Sequence, residues 1–128
     1  MNNIQEYIPI ALEVLAEQDL GIVRKGKINK TYNGYISSFG ASIITSGLLP
    51  TMVFYSKSTG GEEDANRSLI LKAIEKMLKH QNIAIFNTNQ QLLKEIITRY
   101  NDRRLKKKIE ECAIALKLGM RTYPMTKN

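Results

Sequence analysis

Residues 103–118 read RRLKKKIEECAIALKL. Leu105, Ile109, Cys112, Ala113 and Leu116 recur at intervals of three and four, which sets them on one face of a 3.6-residue helix. Arg103 and Lys107 stack at i, i+4 on another side, as do Arg104 and Lys108. The stretch therefore predicts an amphipathic helix with an apolar inner face and a basic outer one. Asn101 or Asp102 restarts the chain ahead of it, and Gly119 marks its end. From about residue 121 the chain, with Tyr123-Pro124, reads as a tail.

Working outward, the same periodicity returns. Upstream, Leu92, Leu93, Ile96, Ile97 and Tyr100 make the stripe of another helix, which Thr88 and Gln91 open with capping-box spacing. Ile83-Ala84-Ile85-Phe86 has no evident partner strand and reads as a buried connector. Before it, Ile70, Ile74, Met77 and Leu78 mark a helix that ends near His80. Glu62, Glu63 and Asp64 suit the start of that helix, where the macrodipole favours negative charge. Pro50 falls in the first turn of a short helix through Tyr55. Ile28, Tyr32, Tyr35, Ile36, Phe39 and Ile43 define a longer helix, which Asn29 can cap. The first segment, Ile4 to Asp19, repeats Ile8, Leu12 and Leu15 at helical spacing and carries an awkward Pro9. The expectation is an all-α fold: one domain over residues 1–128, a compact bundle of about five to six helices with short connectors. Nothing in the pattern demands a sheet.

The 128 residues are 43% hydrophobic and 24% charged, with a formal net charge of +7. That composition suits a folded domain, and the surplus charge predicts attraction to polyanions. One cysteine and one histidine are too few for a zinc site. No phosphate-binding glycine loop is present. His80 at a helix end is best explained by the helix dipole. Cys112 lies on the apolar face and reads as a small hydrophobe. Adjacent carboxylates at 62–64 point in different directions and make a poor chelate. No catalytic group, metal or cofactor is expected. No basic leader or long apolar run is evident, so the chain is expected to be cytoplasmic, without a membrane or small-molecule partner.

The basic residues cluster. Arg24, Lys25, Lys27 and Lys30 occupy a stretch, Leu20 to Gly61, that contains no acid. Lys57 belongs to the same stretch. The second cluster is Arg103, Arg104, Lys107 and Lys108, with Arg99 and Lys106 nearby. Glu110 and Glu111 offset that one at i, i+4. Cations of this kind contact phosphates with little sequence discrimination. Tyr32 and Tyr35 have the aromatic surface to stack on bases, but their spacing with Phe39 favours core packing.

From Lys30 and Tyr32 through Gly47 and Leu48 to Phe54, Ser56 and Lys57, the chain resembles the small subunit of the type III-B (Cmr) CRISPR effector complex. The specific part spans about 25 residues, by the standard of short motifs. Phe39-Gly40 stands where the family often has Leu-Pro, and the family's frequent Trp near the end of the last helix is missing. The resemblance implies a non-catalytic helical subunit present in several copies. It implies a minor filament beside the guide-carrying backbone, holding target RNA or the guide RNA–target RNA duplex on a basic face. Its partners would be the other Cmr complex subunits and copies of itself. Three further readings stay open beside it: a helical DNA-binding module of helix-turn-helix type, a small metal-independent ribonuclease using His80, and an adaptor whose basic face meets an acidic protein.

Overall fold

A computed structural model describes residues 4–58, 65–81, 89–99 and 101–126. Among these residues six helices form: α1 (Ile4–Ala16), α2 (Thr31–Ser46), α3 (Leu48–Ser56), α4 (Ser68–His80), α5 (Asn89–Arg99) and α6 (Arg103–Met120). The expected helical bundle is therefore what forms. It carries one addition, a small sheet of β1 (Val23–Arg24), β2 (Lys27–Asn29) and β3 (Met125–Thr126).

Helix α6 lies at the centre, packed against α1, α2 and α4. Its face of Leu105, Ile109, Cys112, Ala113 and Leu116 is buried as the periodicity predicts. Asp102 caps it: Oδ1 accepts from the backbone N–H groups of Arg104 at 2.9 Å and Leu105 at 3.2 Å. Two of the four otherwise unsatisfied donors at that end are thereby used. Gly119 does not end the helix, which runs on to Met120. A Cβ there would stand 3.2 Å from Leu15 Cδ1 and 3.5 Å from Ala11 Cβ, so the glycine lets α1 approach closely.

Pro9 lies inside α1. It and Gln5, whose carbonyl it leaves without an amide donor, are both exposed, so water can take that hydrogen bond. Helices α2 and α3 meet at Gly47, whose φ of 99° requires glycine. The corner is closed by two hydroxyls. Buried Thr51 donates to Gly47 O at 2.8 Å, which leaves Ser42 to donate to Thr51 Oγ1 at 2.6 Å. Helix α3 then runs back along α2: Tyr55 packs edge-on against Phe39, and its hydroxyl donates to Tyr35 O at 2.8 Å.

Helix α4 starts at Ser68, later than the acidic trio suggests. Its opening is held by Asn66, whose Oδ1 accepts from the N–H of Ser68 at 3.1 Å and from its hydroxyl at 2.8 Å. Glu62, Glu63 and Asp64 lie outside the described residues, as do Ile83–Phe86, Thr88 and Tyr100; the Gln91 and Arg99 side chains do too. Helix α4 is tied to α1 by His80, 3.7 Å from Glu13, and to the turn after α1 by Lys76, which meets Glu17 at 3.1 Å and Asp19 at 3.4 Å.

The sheet corrects two expectations. Arg24-Lys25-Gly26-Lys27 is a hairpin, not a plain connector: Val23 pairs with Ile28 and Arg24 with Lys27. Lys25 and Gly26 both take positive φ, 53° and 73°, the signature of the turn whose twist suits a two-residue hairpin. The end of the chain is no loose tail, because β3 pairs parallel to β2, Ile28 with Met125 and Asn29 with Thr126. Lys25-Gly26, midway between the β-branched Val23 and Ile28, was the available signal. Two or three residues of strand are too few to show an alternation, and β3's partner lies about a hundred residues away, beyond any window that periodicity can read.

Candidate nucleic-acid interface

The hairpin projects its cations. Arg24, Lys25 and Lys27 are exposed, and Lys30, also exposed, stands at the N-cap of α2. Backbone bonds to the returning chain anchor the base of this unit: Ile28 N–H donates to Pro124 O at 3.0 Å, and Lys30 N–H to Thr126 O at 3.1 Å. Asn29 is not the N-cap expected of it, since Lys30 holds that position without a side-chain bond, but Asn29 Oδ1 still accepts from Thr31 N–H at 3.0 Å. The Arg24 guanidinium is steadied by a 3.2 Å bond from Nε to Gly21 O. These cations therefore sit on a short, fixed backbone.

Lys57 joins this end of the molecule. Because α3 runs back along α2 and Tyr55 reaches Tyr35, the exposed Lys57 falls near the end of α2 that Lys30 begins. Two further arginines belong here that sequence reading did not select. Arg121 is exposed at the C-cap of α6, four residues before β3. Arg67 lies over the Phe54 ring, 3.8 Å from its centroid, and its Nε donates to Phe54 O at 2.9 Å. Neither has a like-charged sequence neighbour, so only folding adds them to the group.

The second cluster lies elsewhere. Arg103, Arg104 and Lys107 are exposed on the first turns of α6, and Lys108 is half-buried. Helix α6 ends beside the sheet, so its start is about 25 Å from the hairpin, at 1.5 Å per residue. The fold thus keeps the two clusters as separate basic surfaces. Asp102 at its cap and Glu110 about two turns on share the second surface.

Tyr32 is buried and Tyr35 half-buried. The Tyr32 hydroxyl accepts from Asn66 N–H at 3.1 Å, and the two rings meet edge-on at 6.0 Å. Burial pushes the Tyr32 phenol up, against the opposing pull of the Asn66 bond and Arg24. These tyrosines hold the approach to α4.

Burial and ion pairing also shift Cys112, Lys76 and Glu75, outside the basic clusters. Cys112 is buried, its thiol pushed up to about 12 by desolvation. Burial alone would lower the Lys76 ammonium, but Glu17 and Asp19 outweigh it and leave the pKa raised. Burial raises the Glu75 carboxyl, countered by Lys72, Lys76 and Lys79, and its Oε2 has no hydrogen-bond partner. Among the described residues, no group of three or more His, Cys, Asp or Glu is placed to hold a metal ion. Among them too, no helix is long and apolar enough to cross a membrane.

A family model described as CRISPR-associated protein (Cas_Cmr5) matches residues 5–113. No curated protein and no solved structure matches the chain.

Proposed function

We propose, from the premise that this chain belongs to the CRISPR-associated Cmr5 family and so is a subunit of a Cmr complex, that it is the non-catalytic small subunit of a type III-B effector. In this reading it works in the cytoplasm, copies stack as a minor filament, and their basic faces hold target RNA or the guide–target duplex. The observation that carries the RNA contact is the hairpin end: Arg24, Lys25, Lys27, Lys30 and Lys57 are exposed in a stretch without acids. Such a surface follows a phosphate backbone and leaves sequence reading to the guide. The α6 cluster of Arg103, Arg104, Lys107 and Lys108 is the second contact.

The test is charge reversal in the assembled complex. Lys27→Glu with Lys30→Glu is expected to lower affinity for target RNA by about tenfold at low salt, and to flatten the logarithmic salt slope by about 1.5. The loss shrinks as salt rises, because fewer counterions are released. An unchanged slope with unchanged affinity would remove the hairpin from the RNA path. RNA cleavage that requires His80 would refute the non-catalytic assignment.

A further inference from the structure

A second surface, between α2 and α6, has the form of a docking site. Ile36, Ser37 and Gly40 of α2 face Ala113, Ile114 and Lys117 of α6 across an open groove of about 110 Å³, room for one large apolar side chain. The sheet joins the start of α2 to the end of α6, so the two helices run antiparallel along it. Ile44, one turn beyond Gly40, is 77% exposed, Ile114 46% and Leu118 38%. A Cβ on Gly40 would meet nothing within 4 Å. The folded monomer therefore gives no reason for a glycine in mid-helix, where it weakens the helix relative to alanine.

The charge around this groove selects the occupant. Lys107 and Arg121 lie seven residues either side of Ile114 on the same face of α6, and Lys117 lines the groove itself. Helix α2 has no acid at all, and Glu110 is the acid on this face of α6. Two copies meeting through this groove would set Lys117 and Arg121 of each against the same cations of the other, which disfavours a second copy here; the stacking proposed above would use other surfaces.

We infer that the α2–α6 groove receives a large apolar side chain from an acidic segment of a different Cmr subunit, with flanking carboxylates meeting Lys117 and Arg121. Apolar anchors of this kind, seated in a pocket and ringed by charge, carry most of the binding energy at protein interfaces. The inference rests on membership of the Cmr complex and does not depend on where RNA lies.

The test uses the reconstituted complex. Gly40→Leu fills the groove and Ile44→Asp reverses its apolar rim; neither position is packed in the monomer. Each is expected to lower incorporation of this subunit by at least about fivefold, the effect of losing one interface anchor, without lowering its own melting temperature. With photoreactive benzoylphenylalanine in place of Ala41, the crosslinked peptide should come from another subunit and carry Leu, Phe or Met beside Asp or Glu. Wild-type incorporation of both variants, or crosslinks to a second copy or to RNA, would overturn the inference while leaving the Cmr assignment intact. Failure of the unmodified chain to join the complex would overturn both.

Discussion

The two basic surfaces hold similar numbers of cations on opposite kinds of scaffold. The hairpin carries Arg24, Lys25 and Lys27 on a few residues of strand and a strained turn, in a stretch without acids. The α6 cluster stands on the longest helix of the fold, backed by fully buried Ile109 and accompanied by Asp102 and Glu110. Rigidity and net charge are thus divided between them. One surface is firmly held but partly neutralised, and the other is strongly positive but depends on a small sheet for its shape.

That contrast can be broken at several points. The largest effect is expected from Ile109→Ala, which opens a cavity where α6 meets the core. It should cost about 2–5 kcal/mol of global stability, measured by denaturant unfolding, and loosen the basic helix with everything else. Charge reversal should separate the surfaces next. Arg104→Glu with Lys108→Glu is expected to flatten the salt slope for RNA by less than about 1, below the hairpin pair, because neighbouring acids already weaken that site. Equal slopes would mean that both surfaces lie on the phosphate path.

Gly26→Val forces a β-branched residue to a φ of 73° and should cost about 1–2 kcal/mol. Hydrogen exchange should show the loss at the amides of Ile28 and Lys30, with α6 protection unchanged.

The smallest effect concerns the core that both surfaces share. Burial raises the folded-state pKa of Glu75, so the folded chain holds that proton longer than the unfolded one. The stability gained is complete below the unfolded pKa and is lost as pH rises through the folded one. Glu75→Gln stays neutral throughout. It should raise the melting temperature at pH 8 by about 3–6 °C, or about 1 kcal/mol, and converge on the unmodified chain as pH falls towards 4.

Much of this was legible in the residues. The 3.6-residue spacing of Leu105, Ile109, Cys112 and Leu116, the Asp102 cap and the helix-initiating Pro50 are local signals, and each formed where it was read. The acidic trio misplaced the start of α4, because carboxylates near a helix are permissive whereas the Asn66 cap fixes a register. The basic positions were readable as types but not as surfaces. Arg67, at the start of α4, and Arg121, at the end of α6, come to the hairpin end from two separate parts of the chain, and the α6 cations, though equally clustered in sequence, go to the other end.

The sequence by itself determined the helical class, the buried face of α6 and the surplus of positive charge, since periodicity, caps and composition act within a few residues; in α5 the stripe failed at Ile97, which is 53% exposed. Only the tertiary structure decided that the chain's end pairs with Lys27–Asn29 and that the two cation groups stand about 25 Å apart along α6. It alone also placed an open groove beside Gly40. These depend on contacts between residues far apart in the chain, whose closure is stabilised by the packed core as a whole and not by any local preference.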